Sequence, residues 1–376
     1  MAIQVFKPFY RTDEILREMK ECLDIGWTGI GFKTEQLEEG WKEFTGNAFC
    51  HYVSSGTAGL HLAVNILKEV QGWEAGDEVI TTPITFVSTN EVMLYEDLAP
   101  RFADVDRHLC LDPDSVEERI NERTRAVLFV GMGGSTGQLE RIREVCDRHG
   151  LPLILDAAHM AGTRLRGKDP SAYADVTVYS FHAVKNLNTS DSGMVCFKSG
   201  DLDRLARQKS WLGIDKDTAQ RSQAGGAYKW DYDVPQLGFK YHGNSITASI
   251  GLVQLRYLDR DNAYRRNIAR WYREKLEGLE AIDFVEAPDG CESSQHLFQL
   301  LGPNRDELVA FLKEEGVHPG VHYRNNMEYP IFAPYREPCP HAERASERVL
   351  SLPVHLNLSH ADVEYVSDRI RAFYAG

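Results

Sequence analysis

Two ionisable side chains follow apolar runs and could take part in proton transfer. Asp156 ends the run LILD (153–156), and Lys185 comes after the run VTVY (176–179) in a segment with few charges. In an open α/β sheet ligands gather at the carboxyl ends of the strands, so an acid at such an end can be functional. Desolvation would lower the pKa of the Lys185 amine and make the free amine available. Taken singly, Asp156 could instead cap a helix, and Lys185 could be an ordinary surface lysine.

A third segment has the composition of a phosphate-binding turn. In SSGTAGLHLAV (54–64), small hydroxyl residues and glycine precede an apolar helix. Several backbone N–H groups are therefore free at the first helical turn. With the helix dipole and the Thr57 hydroxyl they could bind a phosphate. The segment is not a Walker loop, because it contains no Gly-Lys-Ser/Thr. Many helices are capped in this way, so the signal is weak by itself.

Together, the three features match the needs of one cofactor, pyridoxal 5′-phosphate (PLP). A PLP enzyme requires a lysine that forms a Schiff base with the aldehyde, a carboxylate that keeps the pyridine nitrogen protonated, and a phosphate cup. Here the cup, Asp156 and Lys185 follow one another along the chain. Phe86, within TPITFVSTN (82–90), could supply an aromatic face against the pyridine ring or belong to an ordinary core.

The elements that must position these residues alternate between short strands and helices. Strands are predicted at 78–81, 126–130, 151–155 and 176–179, and helices at 56–70, 114–121 and 137–149. Such an alternation predicts an α/β fold with a mostly parallel central sheet. The polar stretch 202–232 is expected to be a surface loop.

The pattern changes towards the C-terminus. One long helix is predicted from about 245 to 277, followed by strands at 281–285, 297–301 and 350–354 with helices between them. We therefore expect a large domain over residues 1–255, including an N-terminal arm, and a smaller C-terminal α+β domain over residues 256–376. The boundary falls inside the predicted long helix.

The composition predicts a cytoplasmic globular protein. The chain has 376 residues, of which 26% are charged, and a formal net charge of −14. No basic surplus is available to neutralise phosphates, which argues against a nucleic-acid partner. The N-terminus lacks the layout of a signal peptide, and no apolar run approaches the ~20 residues of a membrane helix. The seven cysteines are scattered, so we expect reduced thiols and neither a disulfide framework nor a metal site.

The sequence resembles the DegT-type sugar aminotransferases, which have the aspartate-aminotransferase fold (fold type I). The resemblance extends over nearly the whole chain, and SFHAVKN together with DAAH is its most specific part. The segments that carry it are GWTG (26–29), SSGTAGLHLA (54–63), GDEVITTPITFVST (76–89), LILDAAHMAGT (153–163), YSFHAVKN (179–186), GFKY (238–241), IGLVQL (250–255), GVHY (320–323) and LSLPVH (350–355).

The resemblance implies roles for individual residues. Lys185 would form the Schiff base with PLP, Asp156 would bind the pyridinium nitrogen, and His159 would lie near the 3′-oxygen of the cofactor. These three form the implied catalytic set. The implied phosphate contacts are Thr57, Ala58 and Ser180, and the implied ring-stacking residue is Phe86.

The resemblance also implies that two subunits build each active site. In such enzymes the segment that reads GFKYHGNS here (238–245) reaches the site of the other subunit. Lys240 is therefore a candidate cofactor contact and His242 a candidate substrate contact. An obligate homodimer with shared active sites is expected.

Some positions depart from the usual pattern of the family. His242 stands where Asn or Arg is common, and Gly131–Gly134 (GMGG) replaces the usual His-x-Tyr-Gly. The loss of two large side chains there is expected to leave space for a substrate group or a re-routed loop. His322, Tyr323 and Arg324 are candidate substrate contacts, with Arg324 pairing with a diphosphate. The alternatives are a core His-Tyr pair and a solvated surface arginine.

The reaction implied by the resemblance is a transamination. L-glutamate would give up its amino group with Lys185 acting as general base and then acid. The acceptor would be a nucleotide-linked 4-keto-6-deoxyhexose, or alternatively its 3-keto isomer. A PLP-dependent sugar dehydratase is a rival, but in that branch a histidine replaces the lysine. A non-catalytic regulator that binds PLP is the other rival, and the intact lysine, aspartate and phosphate cup argue against it.

Overall fold

The computed structural model describes residues 2–215 and 232–376. Its strands are β1 (Ile3–Gln4), β2 (Phe49–Val53), β3 (Glu78–Thr81), β4 (Ala99–Phe102), β5 (Thr124–Val130), β6 (Leu153–Asp156), β7 (Arg164–Leu165), β8 (Val176–Ser180), β9 (Gly193–Phe197), β10 (Asp283–Phe284), β11 (Cys291–Glu292), β12 (Phe298–Leu301), β13 (Val317–His318) and β14 (Val349–Leu352). Its α-helices are α1 (Thr12–Ile25), α2 (Phe32–Thr45), α3 (Gly56–Gln71), α4 (Ser88–Leu94), α5 (Pro113–Arg119), α6 (Leu139–His149), α7 (Gly200–Ser210), α8 (Ser245–Leu255), α9 (Leu258–Leu276), α10 (Arg305–Glu314), α11 (Pro340–Arg348) and α12 (His360–Ala375).

A seven-stranded sheet lies at the centre of the described N-terminal part. Its strand order is β2-β9-β8-β6-β5-β3-β4. Strands β8, β6, β5, β3 and β4 pair in parallel, and β9 is antiparallel to both of its neighbours. The predicted α/β fold with a mostly parallel sheet is therefore confirmed.

Both faces of this sheet are buried. Val127 and Phe129 of β5 belong to one hydrophobic cluster, whereas Ala126, Leu128 and Val130 belong to a second. Successive side chains of a strand point to opposite faces, so the two clusters lie on the two sides of the sheet. This explains why residues 126–130 of β5 form an uninterrupted apolar run, as is usual for a parallel strand covered on both faces.

The predicted surface loop at 202–232 was wrong at its start. Helix α7 covers Gly200–Ser210, because Leu202, Leu205 and Ala206 recur at helical spacing and pack against a core cluster. The part of the predicted loop at residues 216–231 lies outside the described residues.

The predicted long helix is two helices. α8 ends at Leu255 and α9 begins at Leu258, and Tyr257 between them has φ −115° and ψ −2°. The Arg11 guanidinium lies 3.8 Å from the centre of the Tyr257 ring and forms an ion pair with Asp261 at 2.8 Å. The N-terminal segment therefore fixes the chain at this break.

The elements on either side of the break pack against different partners. α8 contacts α1 and α2, whereas α9 contacts α12. A separate hydrophobic cluster, which includes Tyr272, Phe298 and Leu350, surrounds the antiparallel sheet β10-β12-β14. These contacts support a division into residues 1–255 and 256–376, which we keep as a proposal. β1 pairs with β13, so the N-terminal residues reach across to the second unit.

Candidate active site

A cavity of about 390 Å³ opens at the carboxyl ends of the central strands. Val130 at the end of β5, Asp156 at the end of β6 and Ser180 at the end of β8 are among its lining residues. This is the edge at which open α/β sheets bind their ligands. The structure brings these predicted residues to the cavity: Thr57, Phe86, Asp156, His159, Ser180, Lys185, His322 and Tyr323.

Lys185 lies in the turn after β8 and lines the cavity. Desolvation lowers the pKa of its amine to about 8, while the negative charge of Asp156 acts in the opposite direction. An ordinary surface lysine would stay almost fully charged at neutral pH. The lowered pKa gives Lys185 a neutral fraction, which attack on an aldehyde and proton abstraction both require.

Asp156 is buried at the end of β6. The Thr89 hydroxyl donates to its Oδ2 at 2.8 Å, and the Ala158 N–H donates to its Oδ1 at 3.0 Å. Burial raises the pKa of this carboxyl, and the two hydrogen bonds and the charge of Lys185 oppose the rise. No helix begins at residues 157–163, so the helix-cap alternative is wrong. A buried carboxylate held by neutral donors fits a protonated ring nitrogen, whose charge would offset the desolvation.

The ring of His159 has a defined tautomer. The backbone N–H of Gly133 donates to Nδ1 at 3.2 Å, so the proton of the neutral ring is on Nε2. Nε2 lies 3.1 Å from the Tyr323 hydroxyl. Burial and the positive charge of Lys185 lower the pKa of the imidazole well below its usual value. His159 is therefore neutral at pH 7 and offers an N–H donor at the cavity.

Helix α3 begins at the edge of the cavity, and its first turn is suited to an anion. Ser55 caps the helix by accepting a hydrogen bond from the Ala58 N–H at 3.0 Å, so the Ala58 amide serves the cap. Gly56 and Thr57 line the cavity. A Cβ at Gly56 would lie only 2.9 Å from the Ser180 Cβ, which shows how closely this turn approaches β8. The helix N-terminus and the hydroxyls of Thr57 and Ser180 fit a phosphate group.

The parts of the cavity fit PLP as a whole. A carboxylate suited to the pyridinium, an amine suited to the aldehyde and a helix N-terminus suited to the phosphate all border one space. Phe86 is 56% exposed and lines the same space, so the alternative of an ordinary core phenylalanine is wrong. Its ring centre lies 6.2 Å from that of Tyr323.

The three candidate substrate contacts at 322–324 separate into two groups. His322 and Tyr323 line the cavity, where His322 Nδ1 lies 2.9 Å from Ser351 Oγ. Burial lowers the pKa of His322 to about 4 and raises that of Tyr323. Arg324 is exposed, donates to Glu328 at 2.6 Å, and is not brought to the cavity.

Lys240 and His242 lie away from the cavity of their own chain. Lys240 Nζ lies 3.1 Å from the centre of a ring of Trp211. His242 Nδ1 lies 2.7 Å from the Gly243 carbonyl oxygen, and its ring packs edge-on against Trp211. A role for either residue in a site of this kind therefore requires a second subunit.

The segment Gly131–Gly134 does not leave open space, so that prediction was wrong. A side chain at the first of these glycines would overlap the sulfur of Met160, and one at the last would overlap the Ser294 hydroxyl. Side chains of neighbouring segments pack directly against these small residues. The segment instead contributes a backbone N–H to His159.

Sequence reasoning missed two rings of the cavity wall, Phe6 and His296. The ring of Phe6 stacks on that of His296 with centres 5.4 Å apart and an interplanar angle of 11°. His296 directly precedes the predicted strand at 297–301. This position was the signal that could have indicated His296 as a residue of the site. Phe6 belongs to the N-terminal arm, and nothing in its own neighbourhood indicates a site.

The fold and the site together define a PLP-binding enzyme of the aspartate-aminotransferase fold, fold type I. Comparison with known proteins agrees with this class. The chain matches the DegT/DnrJ/EryC1/StrS aminotransferase family over residues 10–371. The chain belongs to this family and is a PLP-dependent sugar aminotransferase.

Solved structures of high similarity support the same assignment. The aminotransferase TlmJ from Streptoalloteichus hindustanus is 32% identical with a TM-score of 0.92, and the match covers 100% of this chain and 99% of that chain. The sugar aminotransferase CalS13 from Micromonospora echinospora is 30% identical with a TM-score of 0.90, over 98% of this chain and 99% of that chain. DesI, solved in the presence of its TDP-sugar product, is 26% identical with a TM-score of 0.87, and the match covers 99% of this chain and 92% of that chain.

Proposed function

We propose that this sugar aminotransferase moves the amino group of L-glutamate to a nucleotide-linked 4-keto-6-deoxyhexose. The observation that carries the proposal is the meeting of Lys185, Asp156 and the N-terminus of α3 in one cavity. The TDP-sugar product of DesI supports a nucleotide-linked acceptor. The 4-keto position and the glutamate donor rest on the family resemblance. A cytoplasmic location remains a prediction from composition.

The side chains of the cavity divide the chemistry among them. When bound, PLP supplies an aldehyde that exchanges amines and a ring that accepts the electrons of a deprotonated carbon. The neutral Lys185 amine takes the proton from the α-carbon of the amino donor and later returns a proton to the substrate carbon. Asp156 would hold a proton on the ring nitrogen, and His159 would lie near the 3′-oxygen.

The histidines of the cavity make an uncharged wall. Burial lowers the pKa of His159 and His296 well below the usual value and that of His322 to about 4. All three rings are therefore neutral at pH 7. Such a wall suits the uncharged ring of a keto sugar better than the carboxylates of glutamate, which need positive charge when they leave water.

A homodimer with shared sites is part of the proposal. Lys240 and His242 do not line the cavity of their own chain, although the resemblance gives them roles in a site. Exposed apolar side chains also lie on α1, where Leu16, Leu23 and Ile25 are 57%, 60% and 62% exposed. Exposed large apolar side chains can contribute to a subunit interface.

A panel of sugar acceptors tests the proposal. The PLP-loaded protein is incubated with L-glutamate and nucleotide-linked 3-keto- and 4-keto-6-deoxyhexoses, and the product is identified by mass spectrometry and NMR. We expect a 4-amino sugar together with 2-oxoglutarate. A 3-amino product would show that the 3-keto isomer is the acceptor. A dehydrated sugar, or no product with any member of the panel, would contradict the proposal.

A further inference from the structure

A chain of side-chain amides fixes the orientation of the His296 ring. His296 Nδ1 lies 3.0 Å from Asn186 Oδ1. The Asn186 amide nitrogen donates to the carbonyl oxygen of Ser294 and to Oδ1 of Asn262, each at 2.7 Å. The Asn262 amide nitrogen in turn donates to the carbonyl oxygen of Ala161 at 2.9 Å.

The two backbone carbonyls decide the direction of these hydrogen bonds. A carbonyl oxygen only accepts, so the amide nitrogens of Asn186 and Asn262 must face Ser294 and Ala161. The amide oxygen of Asn186 is then the atom that faces His296. Nδ1 of His296 must carry the ring proton, and Nε2 is left with a lone pair.

The ring that carries the unprotonated nitrogen belongs to the wall of the active-site cavity. The His296 ring lines the cavity and packs against Phe6 and His159, with ring centres at 5.4 Å and 4.4 Å. Nδ1 and Nε2 point to opposite sides of the ring, so Nε2 faces away from Asn186. Within residues 2–215 and 232–376, no hydrogen-bond partner is present at Nε2. Burial also lowers the pKa of the imidazole well below its usual value, so Nε2 stays unprotonated at pH 7.

The surroundings of this acceptor favour a sugar hydroxyl as its ligand. Phe6, His322 and Tyr323 line the same part of the wall as rings. Rings suit the C–H groups of a sugar, and an acceptor between them suits a hydroxyl on the same molecule. The Tyr323 hydroxyl accepts the Nε2–H of His159, so its own proton is free to be donated into the cavity. The wall thus offers one acceptor and one donor.

We propose that His296 Nε2 accepts a hydrogen bond from the hydroxyl group next to the keto carbon of the sugar substrate. This inference rests on the proposed function. In a 4-keto-6-deoxyhexose only the C3 neighbour of the keto carbon carries a hydroxyl, so the C3-hydroxyl is the group concerned. His296 is therefore a specificity-determining residue that selects against 3-deoxy sugars, because a buried acceptor left without its donor costs binding energy.

Two substitutions of His296 separate the roles of its two ring nitrogens, and one variant elsewhere is the control. His296→Asn can keep the hydrogen bond to Asn186 but offers nothing in place of Nε2. His296→Gln reaches further and can place an amide oxygen near the position of Nε2. His108→Phe is the control, because His108 is also buried and donates from Nδ1 to the Glu286 carbonyl oxygen, but it does not line the cavity.

The experiment measures the two half-reactions of the PLP-loaded enzyme in single turnovers. L-glutamate is used for the first, and dTDP-4-keto-6-deoxyglucose or its 3-deoxy analogue for the second. With the 3-hydroxy sugar we expect His296→Asn to react about tenfold more slowly than the wild type, and His296→Gln within about threefold of it. With the 3-deoxy sugar, wild type and His296→Asn should agree within about twofold. The rate of the glutamate half-reaction should be the same in both His296 variants as in the wild type. The His108→Phe control should match the wild type in both half-reactions.

The outcomes distinguish this inference from the proposed function. An equal loss by His296→Asn with both sugars, or a loss in the glutamate half-reaction, would overturn the role of Nε2 while leaving the aminotransferase assignment intact. A wild-type enzyme that converts glutamate but aminates neither sugar would overturn the proposed acceptor and the inference together.

Discussion

At the scale of single residues, burial acts in opposite directions on the two charged groups of the site. It lowers the pKa of Lys185 to about 8 and raises that of Asp156. Each shift favours the neutral form, and each group partly restores the charge of the other. The pair therefore holds an amine that can lose its proton near neutral pH beside a carboxylate that favours a cation.

The rate of PLP capture by the apoenzyme is expected to follow the titration of Lys185. Only the neutral amine attacks an aldehyde, so the rate should rise with pH and level off above about pH 8. In Asp156→Asn the negative charge that holds the proton on Lys185 is gone, so the midpoint should move to lower pH. Stopped-flow absorbance at a series of pH values measures both midpoints.

Asp191→Asn is the matched control for this measurement. Asp191 lines the same cavity but is not among the charges that shift the pKa of Lys185. Its removal should leave the midpoint unchanged. A wild-type midpoint at the ordinary pKa of a lysine, or an upward shift in Asp156→Asn, would contradict the electrostatic account.

At the scale of elements, the close approach of α3 to β8 shapes the phosphate cup. Gly56→Ala would place a Cβ 2.9 Å from the Ser180 Cβ and force the first turn of α3 away from the strand. We expect the affinity for PLP to fall by about tenfold or more, since a misplaced turn loses its amide contacts with the phosphate. Equilibrium dialysis of PLP measures the change. Gly29→Ala is the control, because nothing lies within 4 Å of a Cβ there, and equal losses in both variants would refute the argument.

The sequence predicts the central strands well because both faces of the sheet are covered. β5, β6 and β8 read as apolar runs for that reason. β4 was not predicted, since Pro100 and Arg101 interrupt the pattern of this edge strand. The break between α8 and α9 was missed because no glycine or proline marks it in the sequence, and the contact of Arg11 with Tyr257 at this point joins segments far apart in the chain.

The residues of the site also divide into those with a local sequence signal and those placed by contacts between distant segments. Lys185, Asp156 and His159 belong to motifs in which the neighbouring residues carry the signal. Phe6 and His296 reach the cavity through the pairing of β1 with β13 and through the amide chain from Asn186. Contacts of this kind arise only when distant segments pack together, and no local pattern encodes them.

At the scale of the whole molecule, the proposed function requires two subunits for each working site. Lys185→Ala and Lys240→Ala are each expected to be inactive as homodimers. A mixed dimer would contain one site with both lysines intact, so unfolding and refolding the two variants together should restore about a quarter of the wild-type activity. Each variant refolded alone is the control. No recovery in the mixture, with mixed dimers shown to be present, would contradict a shared site.

The most direct test of the central claim is reduction of the PLP-loaded protein with borohydride, followed by peptide mapping. If Lys185 holds the cofactor, the mass of reduced PLP will be found on the peptide that contains Lys185. Lys185→Ala will carry no label, whereas a variant of the exposed Lys20, such as Lys20→Ala, will be labelled like the wild type. Label on another lysine of the wild type, or label retained in Lys185→Ala, would contradict the account.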